Sequence, residues 1–128
     1  MKKLVFAIII FSIIAFKLQA QTTQTQKSEK INPAFTLADI YFLEQTLETI
    51  ELNGPEVDAF IEIRDILNST LKTSQDKKVT DIVQVEMNLN TAQNLLSFLN
   101  RAKISGARAD QFKRIWDTIL NEIKKAKN

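Results

Sequence analysis

Apolar residues recur at intervals of three and four positions in four stretches of the chain, a spacing that predicts four amphipathic helices. The predicted helices cover approximately residues 36–53, 55–73, 89–104 and 107–127. One face of each helix is apolar, so the four faces can share one core. The predicted inward positions are Ile40, Leu43, Leu47, Ile50, Phe60, Ile63, Leu67, Leu71, Ala92, Leu95, Leu96, Leu99, Ala102, Phe112, Ile115 or Trp116, Ile119 and Ile123.

The ends of the predicted helices carry local signals. Thr36 followed by Asp39 has the pattern of a capping box at the start of the first helix. Gly54 can adopt the left-handed conformation that ends a helix, and Pro55 suits the first position of the next. Gly106 stands in the second such turn. Because both turns are short, we expect two antiparallel helical hairpins, at 36–73 and 88–127.

The two predicted hairpins are similar in sequence. When the chain is shifted by 52 positions, residues 35–72 match residues 87–124 without a gap, with nine identities in 38 positions. A regular offset of this kind indicates a duplicated unit. The identical pairs are Leu37/Leu89, Leu43/Leu95, Leu47/Leu99, Gly54/Gly106, Asp58/Asp110, Phe60/Phe112, Ile63/Ile115, Asp65/Asp117 and Lys72/Lys124.

The segment 79–90 has an ambiguous pattern. Val83, Val85 and Met87 alternate with polar residues, as in a short strand, but the wider apolar spacing also fits a helix. We favour an extended piece at 82–87, which would pair with residues 31–35. The predicted fold is therefore all-α: two tandem helical hairpins packed as a small four-helix bundle, with a short extended ribbon as an optional addition.

The N-terminus has the three parts of a secretory signal peptide. Two lysines follow Met1, residues 4–16 are apolar except for one serine, and Ala20 ends the segment. The alternative is an uncleaved anchor, but a run of 13 residues spans only about 20 Å as a helix, against about 30 Å for the hydrocarbon core of a membrane. We therefore expect a signal peptide at 1–20, a flexible polar spacer at 21–33 and one helical domain at 34–128. The protein would be periplasmic or secreted.

Charge is unevenly distributed between the two predicted hairpins. The mature chain from residue 21 has 14 basic and 15 acidic residues, so it offers no general attraction for nucleic acid. Residues 34–72 nevertheless have a net charge of −6, and residues 86–128 have a net charge of +4. Two interpretations remain open: the halves attract each other within one bundle, or one charged face recruits a protein partner or a second copy.

Few residues of this chain suit catalysis or a cofactor. It has no cysteine and no histidine, which removes most metal-ligand and nucleophile–base arrangements and the usual haem ligands. We predict no catalytic residue, no cofactor and no metal. The acidic pair Glu44 and Glu48, like Asp58 and Glu62, is typical of a solvated helix face. Asp58 and Asp110 each follow a turn glycine by four residues, which indicates a role at a helix start.

The remaining candidates are residues for protein–protein contact. Trp116 is the only tryptophan, and this residue type is enriched at interface hot spots. Tyr41 adds an apolar group to a second face of the first helix. The full set of candidate interaction residues is Trp116, Tyr41, Glu44, Glu48, Arg108, Lys113 and Arg114.

These features predict a non-catalytic exported interaction protein, an accessory subunit or adaptor of an envelope assembly. A second hypothesis is a carrier of a small apolar ligand. It requires a cavity of roughly 300 Å³ or more between the hairpins. A third, a carboxylate hydrolase, requires acidic groups that converge in one cleft. The expected lining of the carrier cavity is Leu43, Leu47, Leu95, Leu99 and Phe112.

Overall fold

A computed structural model describes residues 29–128. The predicted signal peptide and residues 21–28 of the predicted spacer lie outside this range. The remainder of the predicted spacer belongs to the folded unit, because Ile31 and Pro33 are both buried. The folded unit therefore includes residues before position 34.

Most of the described residues are helical. The four α-helices are α1 (Leu37–Leu47), α2 (Val57–Thr73), α3 (Leu89–Leu99) and α4 (Ala109–Ala126). A short 3₁₀ turn precedes α2 at Gly54–Glu56, and another precedes α4 at Gly106–Arg108. The strands are β1 (Lys30–Ile31), β2 (Ala34–Thr36), β3 (Ile82–Gln84) and β4 (Met87–Asn88).

Side-chain caps start α1 and α3. The Thr36 hydroxyl accepts from the Asp39 amide at 3.2 Å, and the Asp39 carboxylate accepts from the Thr36 amide at 3.3 Å. This reciprocal pair confirms the predicted capping box. Asn88 caps α3 in a similar way, because its side chain accepts from the Thr91 amide at 2.8 Å.

Two of the helices end earlier than predicted. α1 ends at Leu47 rather than near 53, and α3 ends at Leu99 rather than near 104. After α1, the Thr49 hydroxyl donates to the Thr46 carbonyl at 2.7 Å, and both Thr49 and Ile50 are β-branched. These features oppose a further helical turn, so Ile50 reaches the core from a connecting segment instead.

Gly54 does not adopt the left-handed conformation predicted for it, and Gly106 does not adopt that conformation either. No described residue, glycine included, has a positive φ. Because α1 ends well before Gly54, this glycine does not terminate a helix; it opens the 3₁₀ turn that leads into α2. The cap at this point comes from Glu56, whose carboxylate accepts from the Asn53 amide at 2.9 Å.

The strands form one antiparallel ribbon interrupted at its centre. β1 pairs with β4, and β2 pairs with β3, in a single continuous register. Between the two pairs, the Val85 amide donates to the Pro33 carbonyl at 3.0 Å. Pro33 has no amide to donate in return, which splits the ladder into two short pieces. The predicted pairing of 31–35 with 82–87 is therefore confirmed, and the segment 79–90 does not form one helix.

The ribbon and the four helices enclose one core. α1 packs against α2, α2 packs against α3, and α3 packs against α4. Most predicted inward positions are buried, and Ile115 rather than Trp116 is the fully buried member of that pair. The buried apolar residues are Ile31, Phe35, Leu37, Ile40, Phe42, Leu43, Leu47, Ile63, Leu67, Val83, Val85, Met87, Ala92, Leu95, Phe98, Leu99, Ile115, Ile119 and Ile123.

Candidate interaction surface

Two clefts open beside the helices, one in each half of the chain. The first, called here the acidic cleft, has a volume of about 380 Å³. The second, the tryptophan cleft, has a volume of about 430 Å³. The acidic cleft is lined by Glu44, Leu47, Glu48, Ile50, Leu52, Phe60, Arg64, Leu67 and Asn68. The tryptophan cleft is lined by Leu99, Asn100, Ala102, Phe112, Lys113, Trp116 and Asp117.

Residues at corresponding positions line the two clefts, yet the clefts differ in chemistry. Each cleft has an apolar wall made of a leucine and a phenylalanine, but an arginine in the first stands where the second has its tryptophan. The two clefts therefore offer different surfaces to a partner. The corresponding residues, 52 positions apart, are Leu47 and Leu99, Glu48 and Asn100, Ile50 and Ala102, Phe60 and Phe112, and Arg64 and Trp116.

The tryptophan cleft presents aromatic surface with a neutralised rim. The rings of Phe112 and Trp116 lie 6.1 Å apart between centroids and are inclined by 31°. Trp116 is only partly buried, although it packs against the core. Lys113 places its Nζ 2.6 Å from the Asp117 carboxylate, so these two charges at the rim balance each other. Binding in this cleft would therefore be dominated by apolar and aromatic contact.

The acidic cleft presents carboxylates that have no cationic partner in the described part of the chain. Glu44 and Glu48 lie on its α1 side, and neither takes part in an ion pair among residues 29–128. Burial, followed by the neighbouring charge of Glu48, raises the pKa of Glu44 above its usual value. A cation placed beside Glu44 would lower this pKa again.

Asp39 forms a buried polar contact between the two halves. Its side chain is only 4% exposed, and its Oδ1 accepts from Arg114 at 2.6 Å and from Gln111 at 3.1 Å. Burial opposes ionisation, but the hydrogen bonds from Arg114, Gln111 and Thr36 together lower the pKa of Asp39 below its usual value. Arg114 thus fastens α4 to the start of α1.

A second polar contact, which is only partly buried, joins α2 to the start of α3. The Thr91 hydroxyl donates to Glu62 Oε1 at 2.7 Å, and the Asn88 amide group donates to the same oxygen at 3.4 Å. Thr91 lies 52 positions after Asp39, and Glu62 lies 52 positions before Arg114. The corresponding helix residue is therefore a cation, Arg114 of α4, in the first contact, and an anion, Glu62 of α2, in the second.

Other cations of the second half also contact the first half. Arg101 approaches the Glu56 carboxylate at 3.1 Å, and the Arg108 guanidinium lies 5.0 Å from the centre of the Phe42 ring. Together with Arg114, these contacts favour the interpretation that the oppositely charged halves attract each other within one chain.

The predicted interaction residues fall in several places. Tyr41 is 49% exposed on α1, Glu44 and Glu48 line the acidic cleft, and Lys113 and Trp116 line the tryptophan cleft. The two arginines of the set, by contrast, make contacts within the chain, Arg108 with Phe42 and Arg114 with Asp39. Asp58 and Asp110 are exposed in the first turns of α2 and α4.

The polar contacts between the halves were not foreseen from the sequence. Asp39 was identified only as a capping residue, and Gln111, Glu62 and Thr91 had no predicted contact. The one available signal was the position of Asp39 on the apolar side of α1. The residues predicted to line a single apolar cavity are also dispersed: Leu43 and Leu95 lie in the core, Leu47 in the acidic cleft, and Leu99 and Phe112 in the tryptophan cleft.

The Asp39 contact predicts a pH dependence of stability. Because the pKa of Asp39 is lower in the folded state, its contribution is fully present above the unfolded value of about 3.9 and is lost as the pH falls through the folded value. We therefore expect Asp39→Asn to reduce the free energy of unfolding at pH 7 and to flatten its decline below pH 4. Urea unfolding from pH 7 to pH 2.5 measures both, and parallel curves for the two proteins would contradict the assignment.

Comparisons with known proteins give no assignment: no family model, curated protein or solved structure matches this chain. Within residues 29–128, no group of three or more acidic side chains is arranged to hold a metal ion. In the same range, none of the helices combines the length and the apolar character that a membrane span requires.

Proposed function

We propose that this chain is an exported, non-catalytic interaction protein that acts as an accessory subunit or adaptor of an envelope assembly. Export is supported by the basic start, the apolar run at 4–16 and the small residue Ala20. The mature protein would begin at Gln21 and be periplasmic or secreted.

The observation that carries the interaction proposal is the tryptophan cleft. Trp116 and Phe112 expose aromatic surface in a concave site of about 430 Å³. Partly exposed tryptophans contribute strongly when a partner covers them, because binding removes a large apolar area from water. Arg64, at the corresponding position of the other half, makes only a weak approach of 4.0 Å to Asp65. A partner that binds Trp116 would meet an arginine at the corresponding position of the first half. It would therefore bind the tryptophan cleft in preference to the acidic cleft.

We further propose that the domain is a duplicated helical hairpin with pseudo-twofold symmetry. Three observations support this proposal. α1 and α3 each have 11 residues and begin 52 positions apart, as do the two 3₁₀ turns. The ribbon register is unchanged when each residue is replaced by the one 52 positions away, with Pro33 and Val85 at its centre. The paired polar contacts at the starts of α1 and α3 occupy corresponding positions as well.

Affinity purification from the native cells tests the proposed function. A protein tagged at its C-terminus should be recovered from the exported fraction with Gln21 at its N-terminus and with a partner in stoichiometric amount. Because the partner would contact the aromatic surface of Phe112 and Trp116, and the rim charges of Lys113 and Asp117 are paired with each other, we expect the partner to remain bound in about 0.5 M salt. Recovery of the protein alone at both low and high salt would contradict the proposal.

A matched pair of variants locates the site. Trp116→Ala should reduce recovery of the partner by about tenfold or more, since a tryptophan hot spot contributes at least about 2 kcal/mol. Arg64→Ala, at the corresponding position of the acidic cleft, should recover it as the unchanged protein does. Thermal unfolding of both variants shows whether any loss reflects the fold instead. If both variants recovered the partner equally well, Trp116 would not belong to the interface.

A further inference from the structure

The edge of the ribbon formed by residues 82–86 is unpaired. The amides of Val85 and Leu89 donate to the opposite strand, at 3.0 Å and 2.8 Å, and the Leu37 amide donates to the Asp81 carbonyl at 3.2 Å. In an antiparallel ladder, the residues between such positions direct their backbone groups the other way. The amides and carbonyls of Gln84 and Glu86 therefore point away from the partner strand.

These backbone groups have no other partner in the described chain. Outside the ribbon, no hydrogen bond among residues 29–128 uses the amide or the carbonyl of Gln84 or Glu86. The side chains of both residues are exposed, whereas Val85 between them and Val83 before them are buried. The strand thus presents an open row of donors and acceptors beside a fixed, packed face.

This edge faces a groove along α2. The edge groove, as we name it, has a volume of about 670 Å³ and lies between Gln84 and Glu86 on the strand and the exposed side of α2. Ile66, Ser69, Thr70 and Thr73 also line it. The space beside the strand is therefore concave and open to a linear ligand.

The groove is negatively charged. Glu62, Asp65 and Glu86 line it, and no lysine or arginine does. Glu86 is paired with Lys30 at 2.6 Å, but both side chains are more than half exposed, so solvent screens this pair. Glu62 and Asp65 lie on the α2 side, where Glu62 also accepts from Thr91 and Asn88 and Arg64 approaches Asp65 at 4.0 Å. Both acidic residues nevertheless remain exposed to solvent. A ligand that extends along the strand would pass between carboxylates on both sides.

We propose that the edge groove binds an extended, basic segment of a partner polypeptide, which adds a strand to residues 82–86. The open backbone groups would supply main-chain hydrogen bonds, as in other cases of strand addition, and the carboxylates would select lysine and arginine side chains. This proposal does not depend on the tryptophan cleft, because the two sites share no residue.

The probe is a fluorescein-labelled synthetic heptapeptide, Lys-Thr-Lys-Val-Lys-Thr-Lys, titrated with the purified exported protein at low salt. We expect saturable binding, no binding of the same peptide with glutamate in place of lysine, and slowed amide exchange at Gln84 and Glu86. A wild-type titration with the lysine peptide N-methylated at every residue after the first should show at least about a tenfold loss, because its main-chain amide donors are then blocked on both edges. Equal binding of the methylated peptide would overturn the proposal.

A variant of the protein tests the same point from the other side. Gln84→Pro removes an outward amide without removing a ribbon hydrogen bond, a position at which an edge strand tolerates proline. We expect it to weaken peptide binding about tenfold, while Gln84→Thr stays within about twofold of wild type. Circular dichroism shows whether both variants fold. If the proline variant does not fold, the methylated peptide tests the proposal with the unchanged protein. Dimerisation through this edge without peptide binding would also overturn the proposal, since the occupant would then be a second copy.

Discussion

Leu43→Ala and Leu95→Ala should each lower the free energy of unfolding by about 3–5 kcal/mol. Both leucines are fully buried, at corresponding positions of α1 and α3, in the core that the ribbon and the helices share. Removing their side chains loses the transfer free energy of the buried atoms and leaves cavities that packed neighbours fill only in part. Urea unfolding followed by circular dichroism measures the loss from the transition midpoint at constant slope.

Each substitution should also leave a single cooperative transition, because one core spans both halves. The control is Val79→Ala in the exposed connection before the ribbon, where Val79 is 57% exposed and a change within about 0.5 kcal/mol is expected. A nearly neutral Leu95→Ala beside a costly Leu43→Ala would contradict a shared core, as would a transition in two steps.

Arg114→Glu should lower the free energy of unfolding by about 2–4 kcal/mol. It removes a cation from Asp39, whose side chain is buried, and brings a second carboxylate towards it. Arg114 itself is 58% exposed, so solvent screens part of the repulsion and the cost stays below that of a fully buried pair. Urea unfolding at pH 7 is again the measurement.

Adding Asp39→Thr to Arg114→Glu should restore at least about 1 kcal/mol. The double variant recreates the chemistry of the contact between Thr91 and Glu62, in which a threonine hydroxyl donates to a glutamate. A double-mutant cycle isolates the coupling between the two positions. Additive effects would contradict the correspondence of the two contacts, because the new hydroxyl would then not reach the new carboxylate.

The start of α1 and the extended segment of the ribbon were predictable because each depends on local chemistry. The Thr36 capping box needs only a hydroxyl and a carboxylate three residues apart, and the alternation around Val83 and Val85 predicts an extended segment with one buried face. The sequence similarity at an offset of 52 then indicated residues 31–35 as the segment that would pair with residues 82–87. These predictions required no knowledge of distant contacts.

The helix ends and the polar contacts depend on tertiary structure, and the sequence did not reveal them. The position of Ile50 continues the apolar spacing of α1, but Ile50 reaches the core from the segment that follows the helix. A periodic pattern alone cannot distinguish these two cases. The charge split allowed attraction within the chain or recruitment of a partner. The structure shows that internal contacts use two of the candidate interaction residues, Arg114 with Asp39 and Arg108 with Phe42.

Site-specific photo-cross-linking in the native cells tests the proposed interaction most directly. A photoreactive phenylalanine analogue would replace Trp116 in one version of the protein and Arg64, at the corresponding position of the other cleft, in a second. We predict one discrete adduct of the exported protein with another envelope protein from position 116, and none from position 64. Absence of any adduct from position 116, while the protein is exported and folded, would contradict the proposal that this cleft holds a partner.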